Sequence, residues 1–296
     1  LGGDRASLDA LAKVTDETVS TTPGVFASFF GADPLNLMFV VILTSLGTWG
    51  LPQMVQKFYA IKDESSIKKG TIISTIFALV VAGGSYFLGG FGRLYSDKID
   101  VKANGFDSII PTMLSELSAP LIALVVILVL SASMSTLSSL VIASSSTLTI
   151  DFLKDNIVKK MDEKKLLLSI RIFVVIFIAI SAILALVQYK SSVTFIAQLM
   201  GISWGALAGA FLAPFLYALY WKKTTKAACW VSFIFGTGLM VIDLIGNLTG
   251  HHILPTIMQS PINCGAIAMH GGFVIVPIVS LVTPKHESKF VEQTFA

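Results

Sequence analysis

Seven stretches of this chain are apolar over about the 20 residues that a helix needs to cross a bilayer: roughly 35–56, 70–92, 120–149, 166–188, 192–221, 227–247 and 264–283. Repeated spans constrain the fold more than anything else here, because lipid offers the backbone no hydrogen-bond partner. Only helices and closed barrels meet that demand. No stretch alternates apolar and polar residues as a barrel strand does, so the expected class is an all-α polytopic membrane protein. Composition agrees. Of 296 residues, 54% are hydrophobic and 13% charged, about half the charged share of a soluble domain. The bilayer is the expected surrounding partner, and no nucleic acid is expected.

Charge placement predicts the orientation. Fifteen Lys and Arg fall in the loops around 57–69, 154–171, 222–226 and 285–289, and six (Arg5, Lys13, Arg93, Lys98, Lys102 and Lys190) fall in the other set. The positive-inside rule then puts the N-terminus outside and the C-terminus in the cytoplasm, with the protein spanning the plasma membrane. The opening residues LGGDRASLDALAKV lack the apolar core of a signal peptide. They read as the middle of an extramembrane loop, so the chain is expected to be a piece of a longer protein. SLDALAKV at 7–14 and FDSIIPTMLSEL at 106–117 predict short amphipathic outer helices, the second serving as a lid or as a packing cap.

Catalytic signatures are absent. There is no HExxH, GxSxG or Walker motif and no pair of intramembrane acids, so no enzyme is expected. Cys229 opens an apolar segment and Cys264 is expected in a loop, which gives neither a disulfide framework nor metal spacing. The informative residues are elsewhere. Within SASMSTLSSLVIASSSTLT at 131–149, eleven of nineteen residues are Ser or Thr. Ser131, Ser135, Ser138, Ser145 and Thr149 share one helical face, flanked by Thr136 and Ser139. Such a stripe packs helices closely with its hydroxyls bonded back to the i−4 carbonyl, or it lines a path for a weakly held monovalent cation. In LTSLGTWGLPQMVQKF at 43–58, Gly47, Gly50 and Pro52 interrupt a span around Thr48 and Trp49. That is either a proline kink or a broken helix of the kind that exposes polar backbone at a transporter's substrate site.

Gly201, Gly205 and Gly209 recur every four residues and predict a close-packing face. Gln198 and Trp204 are the polar or amphipathic residues of the same span. Asp243 is an acid inside an apolar stretch, a functional hypothesis by default. Its position near the end of its span favours a snorkelling or loop-bonded side chain. His251, His252 and His270 read as solvated, and Asn247-Leu248-Thr249 matches a glycosylation acceptor abutting the membrane.

Three stretches together resemble the sodium/solute symporter family, which includes the bacterial proline and pantothenate symporters and the sodium/glucose cotransporters. ASMSTLSSLVIASSSTLTIDFLK at 132–154 resembles the family's sodium-site helix, with Asp151 and Phe152 just past its end. GTWGLPQMVQKFYAIKD at 47–63 resembles its broken helix and basic turn, and GISWGALAGAFLAPFLYALYWKKTTKAA at 201–228 resembles its glycine-rich span ending in Tyr-Trp. The resemblance runs in order over nearly the whole chain. It implies the second half of an inverted-repeat fold: an outer segment over 1–34, the second five-helix repeat over 35–221, two accessory helices over 222–283, and a cytoplasmic tail over 284–296. The first repeat, which would supply the other sodium ligands and half the pocket, has no counterpart here.

Carried onto this chain, the resemblance assigns sodium to the Ala132 carbonyl and the Ser135 and Thr136 hydroxyls. A small solute is expected against Ser45, Thr48, Trp49 and Gln53 of the broken helix, with Gln198 a further candidate contact from its own span. Thr48 stands where sugar carriers and proline symporters have a Tyr, and Lys57 where the family usually has Arg. Amino acids, carboxylates and vitamin-like acids are therefore favoured over sugars. The expected activity is sodium-coupled symport with Na+ as the coupling ion. A seven-helix receptor and a non-transporting membrane subunit are the alternatives. Five or six further spans encoded upstream would count against both.

Overall fold

The computed structural model describes residues 4–17, 19–51, 54–55, 59, 61–99, 105–158, 161–191 and 196–284. The described elements are helical, and an isolated bridge between Asp16 and Ser20 is the only strand-like pairing among the described residues. Six helices are long and apolar enough to cross a membrane, so the chain is an all-α, multi-pass membrane protein. The first predicted span is the exception. It forms a short helix and then breaks.

In chain order, α1 is Asp4–Lys13 and α2 is Pro34–Ser45, with a 3-10 turn at Gly47–Gly50 after it. Asp33 caps α2 by accepting from the Asn36 N–H at 3.0 Å, and Pro34 opens it. Helix α3, Glu64–Gly90, starts where Asp63 accepts from the Ser66 N–H at 2.8 Å and the Ser65 hydroxyl at 2.7 Å. A 3-10 segment, Phe91–Lys98, follows. Helix α4, Ile109–Leu114, leads to α5, Ala119–Thr147, which widens into a π-helix over Leu148–Ile157. Then come α6, Glu163–Ser191; α7, Ile196–Tyr220; α8, Lys226–Thr249; and α9, Pro261–Val282. Both amphipathic segments expected outside the membrane form helices, α1 and α4.

The chain divides into two compact units, residues 1–97 with 193–296, and residues 98–192. In the first, α7, α8 and α9 pack on one another, and α2 with its turn packs on α7 and α9. Apolar burial drives little association inside a bilayer, so close backbone approach has to do it. The face predicted from Gly201, Gly205 and Gly209 is that approach. A Cβ on Gly205 would come within 2.7 Å of the Gly265 Cα of α9, and one on Gly209 within 3.0 Å of the Ala268 Cβ. From α8, a Cβ on Gly236 would reach the Gly209 carbonyl carbon at 2.3 Å.

Two prolines sit inside these packed helices, Pro214 in α7 and Pro277 in α9. Each lacks the N–H that its i−4 carbonyl needs, so Ala210 and Phe273 lose their helical donors. Neighbouring helices supply replacements. The Tyr217 hydroxyl donates to the Phe273 carbonyl at 3.0 Å, and the Ser232 hydroxyl lies 3.5 Å from the Ala210 carbonyl.

Arg93 pairs with Asp16 at 3.1 Å and lies 3.8 Å over the Phe26 ring, tying the N-terminal segment to the end of α3. In the second unit, α5 packs on α6, and the π-helix contacts both. The Asn156 amide donates to the Asp151 and Phe152 carbonyls at 3.0 and 3.1 Å inside the widened turns.

One expectation is corrected. Cys264 is not in a loop. Pro261 starts α9 early, the usual place for proline in a helix, and Cys264 is fully buried within it. Both cysteines are free thiols.

Candidate functional site: a broken helix and a hydroxyl-lined helix

The break after α2 has two faces. Leu43 and Leu51 are 2% and 1% exposed, and Leu43 clusters with Ala208, Leu212, Ala266 and Met269. Gly47 and Gly50 let the backbone down onto α7. A Cβ on Gly47 would lie 3.3 Å from the Ala208 Cβ, and one on Gly50 would lie 2.7–2.9 Å from the Cβ, Cα and N of Leu212. These four residues anchor the break. Ser45 and Trp49 are turned away from that contact and exposed, and Thr48 is half-buried.

Local hydrogen bonds hold the turn. The Trp49 N–H donates to the Leu46 carbonyl at 3.1 Å, the Leu51 N–H to Thr48 at 3.3 Å, and the Met54 N–H to Leu51 at 2.9 Å. The Thr48 hydroxyl donates to the Ser45 carbonyl at 3.0 Å. The arrangement leaves the Ser45 hydroxyl and the Trp49 indole exposed, backed by the glycine contact, with the Thr48 hydroxyl bonded within the turn. Gln53 lies outside the described residues. Gln198 is half-buried in the first turn of α7. It precedes Ala208 by ten residues, which is roughly 15 Å along the helix axis.

On α5, Ala132, Ser135 and Thr136 are all exposed. Among the described residues, Ser138 and Ser139 bond back to the Met134 and Thr136 carbonyls at 2.8 and 2.9 Å, while the Ser135 and Thr136 hydroxyls make no such bond. The stripe is thus divided. Its middle faces open space, and its end turns inward. Val141, Ser145 and Thr149, four residues apart, are buried, with the Ser145 and Thr149 hydroxyls unpartnered among the described residues. The even period of the sequence could not show where exposure would change. That depends on α6 and the π-helix packing on α5.

Asp243 does not snorkel; it is 2% exposed. One carboxylate oxygen accepts from the Asn247 amide at 3.1 Å, and the same amide reaches the Gln259 carbonyl of the following loop at 3.4 Å. The acid is therefore loop-linked through Asn247. The same contacts occupy the Asn247 side chain, which is half-buried and unsuited to accept a glycan. His251 and His252 are exposed, as expected. Among the described residues, no cluster of His, Cys, Asp and Glu fits a metal ion.

Comparison with known proteins agrees with this architecture. A model of the sodium:solute symporter family matches residues 2–236. Among curated relatives, the osmoregulated proline transporter of Bacillus subtilis is 27% identical, over 83% of this chain and 50% of its own length. The sodium/pantothenate symporter of Haemophilus influenzae is 27% identical, over 87% and 52%. The sodium/proline symporter of Staphylococcus aureus is 26% identical, over 91% and 54%. The chain spans about half the length of the curated relatives it matches. No solved structure matches it. The family model covers most of the chain, including the break, the hydroxyl-lined helix and the glycine face of α7, and the chain belongs to the sodium:solute symporter family, whose members are transporters rather than enzymes.

Proposed function

We propose that this chain forms part of a sodium-coupled symporter that moves a small organic solute across the plasma membrane. The observation that carries the reading is the break at 45–51. It is pinned to α7 by Gly47 and Gly50 and leaves Ser45 and Trp49 exposed, with Thr48 half-buried between them. An indole left exposed beside a break that glycines anchor gives a solute a surface to lie against.

Solute would lie against Ser45, Thr48, Trp49 and Gln53, with Gln198 further along α7. Na+ would be held by the Ala132 carbonyl and the Ser135 and Thr136 hydroxyls, which are open and not back-bonded. Hydroxyl and carbonyl oxygens without a carboxylate hold a monovalent ion weakly enough to release it. Sodium favours the substrate-ready state only in so far as it binds that state more tightly. The domain reading follows the family: residues 35–221 as the second five-helix repeat, 222–283 as accessory helices, 1–34 outside, and 284–296 as a cytoplasmic tail, which from 285 on lies outside the described residues. The relatives named for proline and pantothenate carry carboxylate solutes, which favours amino acids and vitamin-like acids over sugars.

The test is uptake of labelled proline and pantothenate by the full-length protein in proteoliposomes, with and without an inward sodium gradient. Gradient-dependent uptake that Ser135→Ala with Thr136→Ala abolishes is expected. Uptake indifferent to sodium would overturn the coupling. Uptake that keeps its sodium dependence in the double variant would overturn the ion assignment alone.

A further inference from the structure

We propose that the end of α8 and the start of α9 hold a monovalent cation, with the Asp243 carboxylate as its charged ligand and the Asn263 side-chain carbonyl as a neutral one. Asp243 is 2% exposed. The Asn247 amide donates to one of its oxygens at 3.1 Å. The other, Oδ2, is buried without a partner, and so is the Oδ1 of Asn263. Both of these atoms are acceptors, and no donor among the described residues reaches either. A buried acceptor without a donor is costly, and a charged one costs the most. A cation satisfies both.

Packing puts the two residues at one level. The Cys264 thiol lies 3.9 Å from the Leu239 carbonyl, and the Asn247 amide lies 3.4 Å from the Gln259 carbonyl. The stretch of α8 from 239 to 247 therefore runs opposite 264 back to 259, and Asp243 falls opposite 260–263. Thr249, the last residue of α8, is six positions further on, roughly 9 Å along the axis. An ion arriving from the loop side reaches this level without crossing the hydrocarbon core.

Charge decides the occupant. Among the described residues, the ion pairs are Arg93 with Asp16 and Lys98 with Glu116, and Asp243 has none. His252 and Cys264 are the titratable groups that interact with it, and neither bonds to the carboxylate. The His252 ring lies against Gly246, one turn nearer the loop. The N-terminus of α9 carries about half a positive charge, which favours an ionised carboxylate over a protonated one, yet it gives Oδ2 no hydrogen bond. The remaining charge calls for a cation. One carboxylate among neutral oxygens suits a monovalent ion, since divalent ions collect several carboxylates. None of these residues enters the proposed transport site, so the inference does not depend on the symport reading.

Sodium is the probe. The full-length protein and its Asp243→Asn variant would be melted in detergent at about pH 8, where a proton competes little for a carboxylate. The two media are sodium chloride and N-methyl-D-glucamine chloride at equal ionic strength. Sodium is expected to raise the melting temperature of the parent by about 2–4 °C more than that of the variant. Any sodium held at α5 acts on both proteins alike and cancels. Without sodium the variant melts no lower than the parent, because it no longer buries an unpaired charge. Equal rises in the two proteins would overturn the proposal, since Asp243 would then act only through Asn247. A second variant reads the site even where Asp243→Asn fails to fold. With Ser135→Ala and Thr136→Ala in place, Asn263→Ala is expected to raise the sodium concentration at half-effect about tenfold. An unchanged half-effect concentration would overturn the two-residue site.

Discussion

Gly50 shows how much one missing side chain decides. Its would-be Cβ meets the Leu212 backbone at 2.8 and 2.9 Å, and helix backbone cannot move aside as a flexible side chain can. Gly50→Ala is therefore expected to push the break off α7, lowering stability by about 1–3 kcal/mol and weakening solute affinity. Thermal melting and uptake KM read the two effects. Asp63 acts through charge instead. Hydrogen bonds from the Ser65 hydroxyl and then the Ser66 backbone hold its carboxyl below the ordinary value of 3.8. Its contribution to the start of α3 is thus complete above that ordinary value and disappears as pH falls through the lower folded one. Amide exchange over 64–70 is expected to quicken on acidification through that window. In Asp63→Asn the pH dependence should vanish. Pattern alone pointed to Gly47, Gly50, Thr48 and Trp49, because glycine and proline in a span are rare. It could not show which side of the turn would be anchored.

Among the helices, the packing of α7, α8 and α9 rests on close approach at a few positions. Gly236 and Gly238 lie two residues apart on α8. A Cβ at the first meets the Gly209 backbone at 2.3 Å, and a Cβ at the second meets nothing within 4 Å. Gly236→Ala is expected to cost about 2–3 kcal/mol and Gly238→Ala nothing measurable by chemical denaturation in detergent. The spacing of glycines within α7 was visible in the sequence. That Gly236 is essential and Gly238 idle was not, since the difference lies in which one faces α7. The two prolines supply a second contrast. Tyr217→Phe leaves the Phe273 carbonyl without the donor that Pro277 denied it, and is expected to lower stability by about 1 kcal/mol. In a Pro277→Ala background the helix restores its own donor and the same substitution should cost much less. A double-mutant cycle measures that coupling.

For the whole molecule, loop charge makes the strongest prediction. If the lysine-rich loops face the cytoplasm, single cysteines replacing Lys223 and His251 should react with a membrane-impermeant maleimide from opposite sides, Lys223→Cys from within and His251→Cys from outside. Reaction of Lys223→Cys from outside and of His251→Cys from within would reverse the topology. At this scale, too, the first apolar stretch departs from a simple span. It has the hydropathy of one, but among the described residues its regular structure is α2 followed by a 3-10 turn at Gly47–Gly50.

The sequence by itself determined that this chain is helical and crosses a membrane, because a bilayer core leaves the backbone no other way to satisfy its polar groups. It also marked where a span is interrupted, as a kink or a break, and one close-packing face on α7, since glycine and proline act through local geometry. Only the tertiary structure decided the rest. It placed Cys264 inside a helix, buried Asp243 against Asn247, turned Ser145 and Thr149 inward while leaving Ser135 and Thr136 open, and matched Tyr217 to the carbonyl that Pro277 freed. Each of these depends on which neighbour faces a given side of a helix. A period of 3.6 residues defines the sides of a helix but not what lies against them.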